Sequence, residues 1–209
     1  MTEIQVAKKD SLLVRLLVHD PQQYLVMPYE FTTDWFSARE PIWAELFDEL
    51  RHRPACGLEI GSYEGRSAVW ILEHLLVHRQ STLTCIDFFQ NSEVNDRFDS
   101  NINASGAREK VTKLTGFSWQ HLRSLQPDSF DLIYVDGSHL GRDVLEDAVL
   151  AFRLLRKGGF LAFDDYLWKD DPSHSVYPKE AIDAFLHLYG ESVDVLHKNW
   201  QVIVRKVSH

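Results

Sequence analysis

From residue 54 onward, short apolar runs alternate with stretches of helical period. Cys56-Gly57-Leu58-Glu59-Ile60-Gly61 reads as a short buried strand ending in glycine. Residues 67–78 place Ala68, Ile71, Leu72, Leu75 and Leu76 at helical spacing. The alternation continues with a strand at 82–87, a helix at 93–104, a strand at 111–115 and a short helix at 119–125. A fourth strand at 130–136 leads into a long helix at 141–157, for which Gly158-Gly159 is the expected C-cap, and a fifth strand at 160–164 follows. Strands alternating with helices in this way predict an α/β fold: a doubly wound, Rossmann-like parallel sheet with right-handed crossovers.

Both ends depart from this rhythm. Residues 178–189 read as a helix, followed by apolar runs at 192–196 and 201–206 joined only by His197-Lys198-Asn199-Trp200. So short a connection predicts an antiparallel hairpin, which would make the sheet mostly parallel with an antiparallel end. Residues 1–53 look helical and irregular. Their best helix is 41–52, where Pro41 suits a first helical position and Ile42, Trp43, Leu46, Phe47 and Leu50 share a face. The expected organisation is one domain, with a helical cap segment at 1–53 and the Rossmann-like core at 54–209.

Charge removes one class of partner. Lys and Arg number 22 against 31 Asp and Glu, a formal charge of -9 with no basic stripe, so nucleic acid is not an expected partner. The apolar stretch at residues 12–18 is short and broken by Arg15, unlike a signal peptide, and no run approaches a membrane span. Cys56 and Cys85 make neither a disulfide scaffold nor a zinc site. The reading is a cytoplasmic protein without a membrane partner. Its composition leaves a homodimer open.

The candidate chemistry starts where the first strand meets Glu59-Ile60-Gly61-Ser62-Tyr63-Glu64-Gly65-Arg66-Ser67. In open parallel sheets, ligands bind at the carboxyl ends of strands, where glycine lets backbone approach them. A plain strand-to-helix turn also favours glycine. Here, however, position 63 is Tyr63, so the dinucleotide spacing G-x-G-x-x-G is absent. Glu59 would sit badly beside a pyrophosphate and well beside an ammonium and a sulfonium. Asp87, ending the second strand, is placed to accept from ribose hydroxyls. Together these features favour S-adenosylmethionine over NAD.

The segment Leu58 to Ala68 resembles motif I of class I methyltransferases. It is especially similar to the small O-methyltransferases of the catechol type and of the macrocin type, which methylates sugars in antibiotics. The resemblance covers about residues 54–165. It implies cofactor contacts at Glu59, Gly61, Ser62, Tyr63, Gly65, Ser67, Asp87, Phe88 and Asp136. Gly116-Phe117-Ser118 matches the stretch flanking adenine in those enzymes, which implies that Ser118 and Trp119 line the adenine pocket.

Asp136 ends the fourth strand, and Asp164 and Asp165 end the fifth. If these strands are neighbours, the carboxylates converge. As anions they then need a cation or raised pKa values, and all-oxygen ligands favour Mg²⁺ or a similar divalent ion. The alternative is that one Asp serves the cofactor and the others cap loops. The metal-dependent catechol and macrocin types look alike here, with an acid followed by Asp-Asp or Asp-Asn. His139 stands where the catechol type carries a lysine base, and with Asp136 it forms the expected catalytic pair. A structural histidine at a helix start, with Ser138 as cap, is the other reading of that position.

His74 and His78 are four apart, but the order of H-E-x-x-H is absent, so they read as a solvated helix face. The loop 166–177, with Trp168, Lys169, Asp170, Asp171 and His174, is expected to cover a small-molecule acceptor. Tyr29, Phe31, Trp35 and Phe36 would wall that acceptor or fill a cap core. The expected function is methyl transfer from S-adenosylmethionine to a hydroxyl, assisted by a divalent metal, with in-line alignment as the protein's main contribution. The alternatives are a metal-independent N- or O-methyltransferase and, more remotely, an NAD oxidoreductase or non-catalytic nucleotide-binding module.

Overall fold

A computed structural model describes residues 29–169 and 176–208. The apolar stretch at 12–18 and the loop residues Asp170, Asp171 and His174 lie outside the described residues.

The strands are β1 (Cys56–Ile60), β2 (Thr82–Asp87), β3 (Val111–Thr115), β4 (Phe130–Val135), β5 (Leu155–Phe163), β6 (Val193–Lys198) and β7 (Val202–Lys206). They form one seven-stranded sheet in the order β3-β2-β1-β4-β5-β7-β6. All neighbours from β3 to β5 pair in parallel, whereas β7 is antiparallel to both β5 and β6. The order reverses between β1 and β4, so their carboxyl ends open a crevice at a topological switch point. β4 is buried along its whole length, as a strand covered by helices on both faces must be.

The helices are α1 (Glu40–Leu46), α2 (Arg66–His74), α3 (Ser92–Ala104), α4 (Ser118–Leu122), α5 (Gly141–Leu154) and α6 (Pro178–Tyr189). α1 and α2 cover one face, where Trp43 packs edge-on to Tyr134 at 4.8 Å and Phe47 lies 5.0 Å from Phe160. α5 and α6 cover the other, with Phe185 between Phe152 and Phe163. α3 starts at an Asn91 cap whose Oδ1 accepts from Glu93 N and Val94 N. Among the described residues no helix is long and apolar enough to cross a membrane.

Three local expectations are corrected. The long helix stops at Leu154 rather than at Gly158-Gly159, and those glycines lie inside β5. Leu155 is already extended and pairs with Phe130, and the register shifts between Phe130 and Leu132. Gly158 takes φ +85, and a Cβ on Gly159 would lie 3.1 Å from the Asp131 carbonyl oxygen, so the pair serves a bulge, not a cap. The predicted 41–52 helix is an α-helix followed by a 3-10 turn at Asp48–His52, which lets Phe47 and Leu50 both reach the core. The helix expected at 67–78 ends at His74, after which Leu75 and Leu76 turn into the core. His74 stacks on Trp70, and His78 lies beyond the helix.

The part of the cap segment that is described is tied to the core by buried side chains. Asn101 of α3 accepts from Glu30 N at 2.8 Å and donates to Glu30 O at 2.9 Å, pairing with the backbone as a strand would. Glu64, itself buried, accepts from Thr32 N and Oγ1 and from Arg97.

Candidate active site

At the end of β1 the backbone must turn beside β4, and only glycine fits. Gly61 takes φ +89, its N–H donates to Ile86 O at 2.8 Å, and the Asp136 carbonyl lies against its Cα. Gly65, at φ +83, precedes α2 in the left-handed region. Glu59, two residues before Gly61 on β1, is completely buried. Its Oε1 accepts from Ser67 Oγ, and the Ser62 hydroxyl and Cys85 thiol lie near enough to favour its charged form, although neither its Oε2 nor the Ser62 hydroxyl completes a well-formed hydrogen bond. Burial pushes the Glu59 carboxyl up to about 7.

Asp87 closes the other side of the loop. Its Oδ2 accepts from Tyr63 N at 2.9 Å and its Oδ1 from Phe89 N at 3.0 Å, so the carboxylate is held rigidly with a lone pair to spare on each oxygen. Beside it lies a cavity of about 440 Å³, walled by Gly61, Asp87, Phe88, Phe117, Ser118 and Trp119 and floored by the first turns of α5. Asp143, Glu146 and Asp147 also face this space, with Arg142 the only basic residue among its lining. Burial pushes the Asp147 carboxyl up to about 6. Phe88 and Phe117 meet edge to face at 4.6 Å at the mouth.

The second half of the site is where β4 and β5 end. Burial, and after it the Asp164 and Asp165 charges, push the Asp136 carboxyl well above the usual range. Asp164 is supported on all sides. Its Oδ2 accepts from Tyr134 Oη and, at 2.9 Å, from Gln201 Nε2, and its Oδ1 accepts from Asp165 N at 2.7 Å. Gln201 is itself oriented by the Trp43 indole, which donates to its Oε1 at 2.8 Å. Asp165, at φ 57, turns its Oδ2 to His139 Nε2 at 2.7 Å. This hydrogen bond holds the His139 pKa above its ordinary value, against the opposing effect of burial. Ser138 Oγ accepts from Leu140 N at 3.2 Å but does not cap the helix as expected, because α5 begins at Gly141 with Leu140 as its N-cap and no side-chain cap. Among the described residues no group of three or more His, Cys, Asp or Glu side chains is arranged to hold a metal ion.

A family model described as a methyltransferase domain matches residues 58–166, more than half of the chain. The chain belongs to the methyltransferase domain family. The sheet order with its antiparallel β7 is the Rossmann-like fold of class I methyltransferases. An uncharacterized protein of Acanthamoeba polyphaga mimivirus is 24% identical over 115 residues, 52% of this chain and 50% of that protein. The chain therefore spans about half the length of the curated relative it matches. Among solved structures, the O-methyltransferase TomG from Streptomyces achromogenes, involved in tomaymycin synthesis and solved with SAM, is similar at a TM-score of 0.63 and 20% identity, over 80% of each chain. The O-methyltransferase from Bacillus cereus in complex with SAH is similar at 0.66 and 19%, over 97% of this chain and 93% of that one.

In this methyltransferase domain the cavity gathers Gly61, Asp87, Phe88, Ser118 and Trp119 of the expected cofactor residues. Glu59, Ser62, Tyr63, Gly65, Ser67 and Asp136 lie outside its lining, forming or bracing the loop that shapes it. Sequence reasoning missed Phe117 as a wall and the acidic face of α5. The spacing of Asp143, Glu146 and Asp147 at three and four residues was the available signal. It also missed Trp43, Tyr134 and Gln201 as supports of Asp164. Their partners are far away in sequence, and no local pattern announces them.

Proposed function

We propose that this methyltransferase uses S-adenosylmethionine to methylate a hydroxyl of a small molecule. The observation that carries the reading is the acidic cavity beside Asp87. Its lining carries Asp87, Asp143, Glu146 and Asp147, and although Arg142 pairs with Asp143 and Arg123 with Glu146, the balance stays acidic, which disfavours a pyrophosphate and suits a cationic ligand. The fit is good at two further points. Asp87 keeps lone pairs for two ribose hydroxyls, and Glu59 Oε2 and Ser62 Oγ, neither completing a well-formed hydrogen bond, are buried at the start of the glycine loop. S-adenosylmethionine supplies an electrophilic methyl group. The protein's own part is to bind and orient: Asp87 fixes the ribose, Phe117, Ser118 and Trp119 enclose the adenine, and Glu59 provides the opposing charge. Calorimetric titration tests this. S-adenosylhomocysteine should bind at micromolar concentration and NAD should not. NAD binding without a response to S-adenosylhomocysteine would end the reading.

His139 is the proton acceptor in this proposal. With Nε2 turned to Asp165, its Nδ1 is left to take the proton of the acceptor hydroxyl. Asp136, Asp164 and Asp165 would hold a divalent cation such as Mg²⁺. The support is their chemistry alone: three oxygen donors at the ends of two neighbouring strands, with Asp136 raised by burial and then by the charges of the other two. A hard cation there would acidify a bound hydroxyl. The second reading, methyl transfer without metal, is favoured by a specific observation. Asp165 is engaged with His139, and both Asp164 oxygens already accept hydrogen bonds. Turnover in excess chelator separates the two.

A further inference from the structure

The turn after β5 grips His139 from two directions. Asp165 meets the edge of the imidazole at Nε2, at 2.7 Å. Trp168, three residues on, lies flat against its face, with ring centroids 4.3 Å apart and planes 19° from parallel. The turn that sets this spacing is closed by Trp168 N donating to Asp165 O at 2.9 Å, with Asp165 in the left-handed region. The far end of the same loop returns to the spot. Tyr177 stands edge-on to the Trp168 indole at 6.1 Å, and Val176 O accepts from Gly141 N at 3.1 Å. Gly141 is the first residue of α5, where a Cβ would meet Val176 Cγ1 at 2.6 Å. The indole is thus braced between the imidazole and Tyr177, and the segment carrying His139 is braced against the loop.

We infer that Trp168 is a positioning residue for this reaction, holding the His139 imidazole in the plane in which Nδ1 meets the acceptor hydroxyl. The inference rests on His139 being the proton acceptor. A histidine side chain has two free torsions, and the single contact at Nε2 fixes only the direction of one ring edge. Rotation about that hydrogen bond would swing Nδ1 away from any bound hydroxyl. A flat partner removes that rotation, because only one ring plane keeps the stack. A residue that only filled the loop would need neither parallel planes nor contact with the one imidazole that meets Asp165.

The experiment compares Trp168→Ala, Trp168→Phe and His139→Ala in the full chain. Catechol serves as acceptor probe, with ring-labelled histidine NMR in the presence of S-adenosylhomocysteine. In the unsubstituted protein the His139 ring protons should be shifted upfield by the indole. The Phe variant should keep much of that shift, and the Ala variant should lose it. Trp168→Ala should lower kcat by about ten- to a hundredfold, the scale on which misplacing a catalytic group acts, while KM for S-adenosylmethionine stays within about twofold. Trp168→Phe should recover most of the rate. An unshifted His139 resonance in the unsubstituted protein would overturn the inference, and so would undiminished kcat in a folded Trp168→Ala protein. Full turnover in His139→Ala, with the ring-current shift intact in the unsubstituted protein, would instead overturn the proton-acceptor reading on which it rests.

Discussion

A Cβ placed on Gly61 would lie 2.0 Å from the carbonyl oxygen of Asp136. The first residue of the glycine loop and the residue that follows β4 are therefore in backbone contact, and one edge of the crevice is built from that contact. Gly61→Ala combines this clash with a left-handed φ of +89. It should cost roughly 3–5 kcal/mol of stability, the sum of a backbone-strain and an overpacking penalty. Denaturant unfolding reads it, and a variant within about 1 kcal/mol of the unsubstituted protein would mean that β1 and β4 can separate freely.

The strand-helix alternation was legible because each β-strand and its covering helix carry their own apolar period. The loop Gly61 to Gly65 was legible for the same reason: its constraint is local. The breaks in the long elements were not. Leu155 continues the helical pattern of α5 but leaves the helix because its partner Phe130 lies across the sheet. Likewise, Asp136, Asp164 and Asp165 announced a carboxylate cluster, but nothing near them announced Gln201, which the indole of Trp43 turns toward Asp164. That chain joins residues 158 apart in sequence at its first link, and only the fold brings them together.

Asp87 should carry a large share of cofactor affinity. Its carboxylate is fixed by two backbone N–H groups and faces the cavity. Asp87→Asn keeps the shape but weakens acceptance, and should reduce S-adenosylhomocysteine affinity by about 1–3 kcal/mol, roughly 5- to 150-fold. Unchanged affinity by calorimetry would place the ribose elsewhere.

Glu59 should make cofactor binding depend on pH. Burial raises its carboxyl from an ordinary 4.5 to about 7 in the folded protein. The folded state therefore holds this proton more tightly than the unfolded one. The stability it contributes is present below pH 4.5 and is lost as pH rises through about 7. Cofactor binding runs the other way, because a cationic ligand needs the carboxylate. Between pH 5.5 and 7, S-adenosylmethionine affinity should rise by up to about tenfold per unit and then level off. Glu59→Gln should flatten that rise. A pH-independent affinity in the unsubstituted protein would show that Glu59 does not face the ligand's positive charge.

The metal separates the two forms of the proposed reaction, and the geometry gives its test a specific shape. Asp164 is held by Tyr134 Oη, Gln201 Nε2 and Asp165 N, and Asp165 by His139. If a divalent cation is required, Asp164→Ala and Asp165→Ala should both abolish turnover while S-adenosylhomocysteine still binds, because neither residue lines the cofactor cavity. Chelator should act like the substitutions, and Mg²⁺ should restore the rate. Without a metal the two variants should differ. Asp165→Ala should slow turnover by freeing the His139 edge, whereas Asp164→Ala should act mainly on stability, by leaving Tyr134 and Gln201 with unmet donors in the core. Full activity in excess chelator, together with an Asp164→Ala protein that melts earlier but still turns over, would remove the metal from the mechanism. It would leave the Asp165–His139 pair to handle the proton alone.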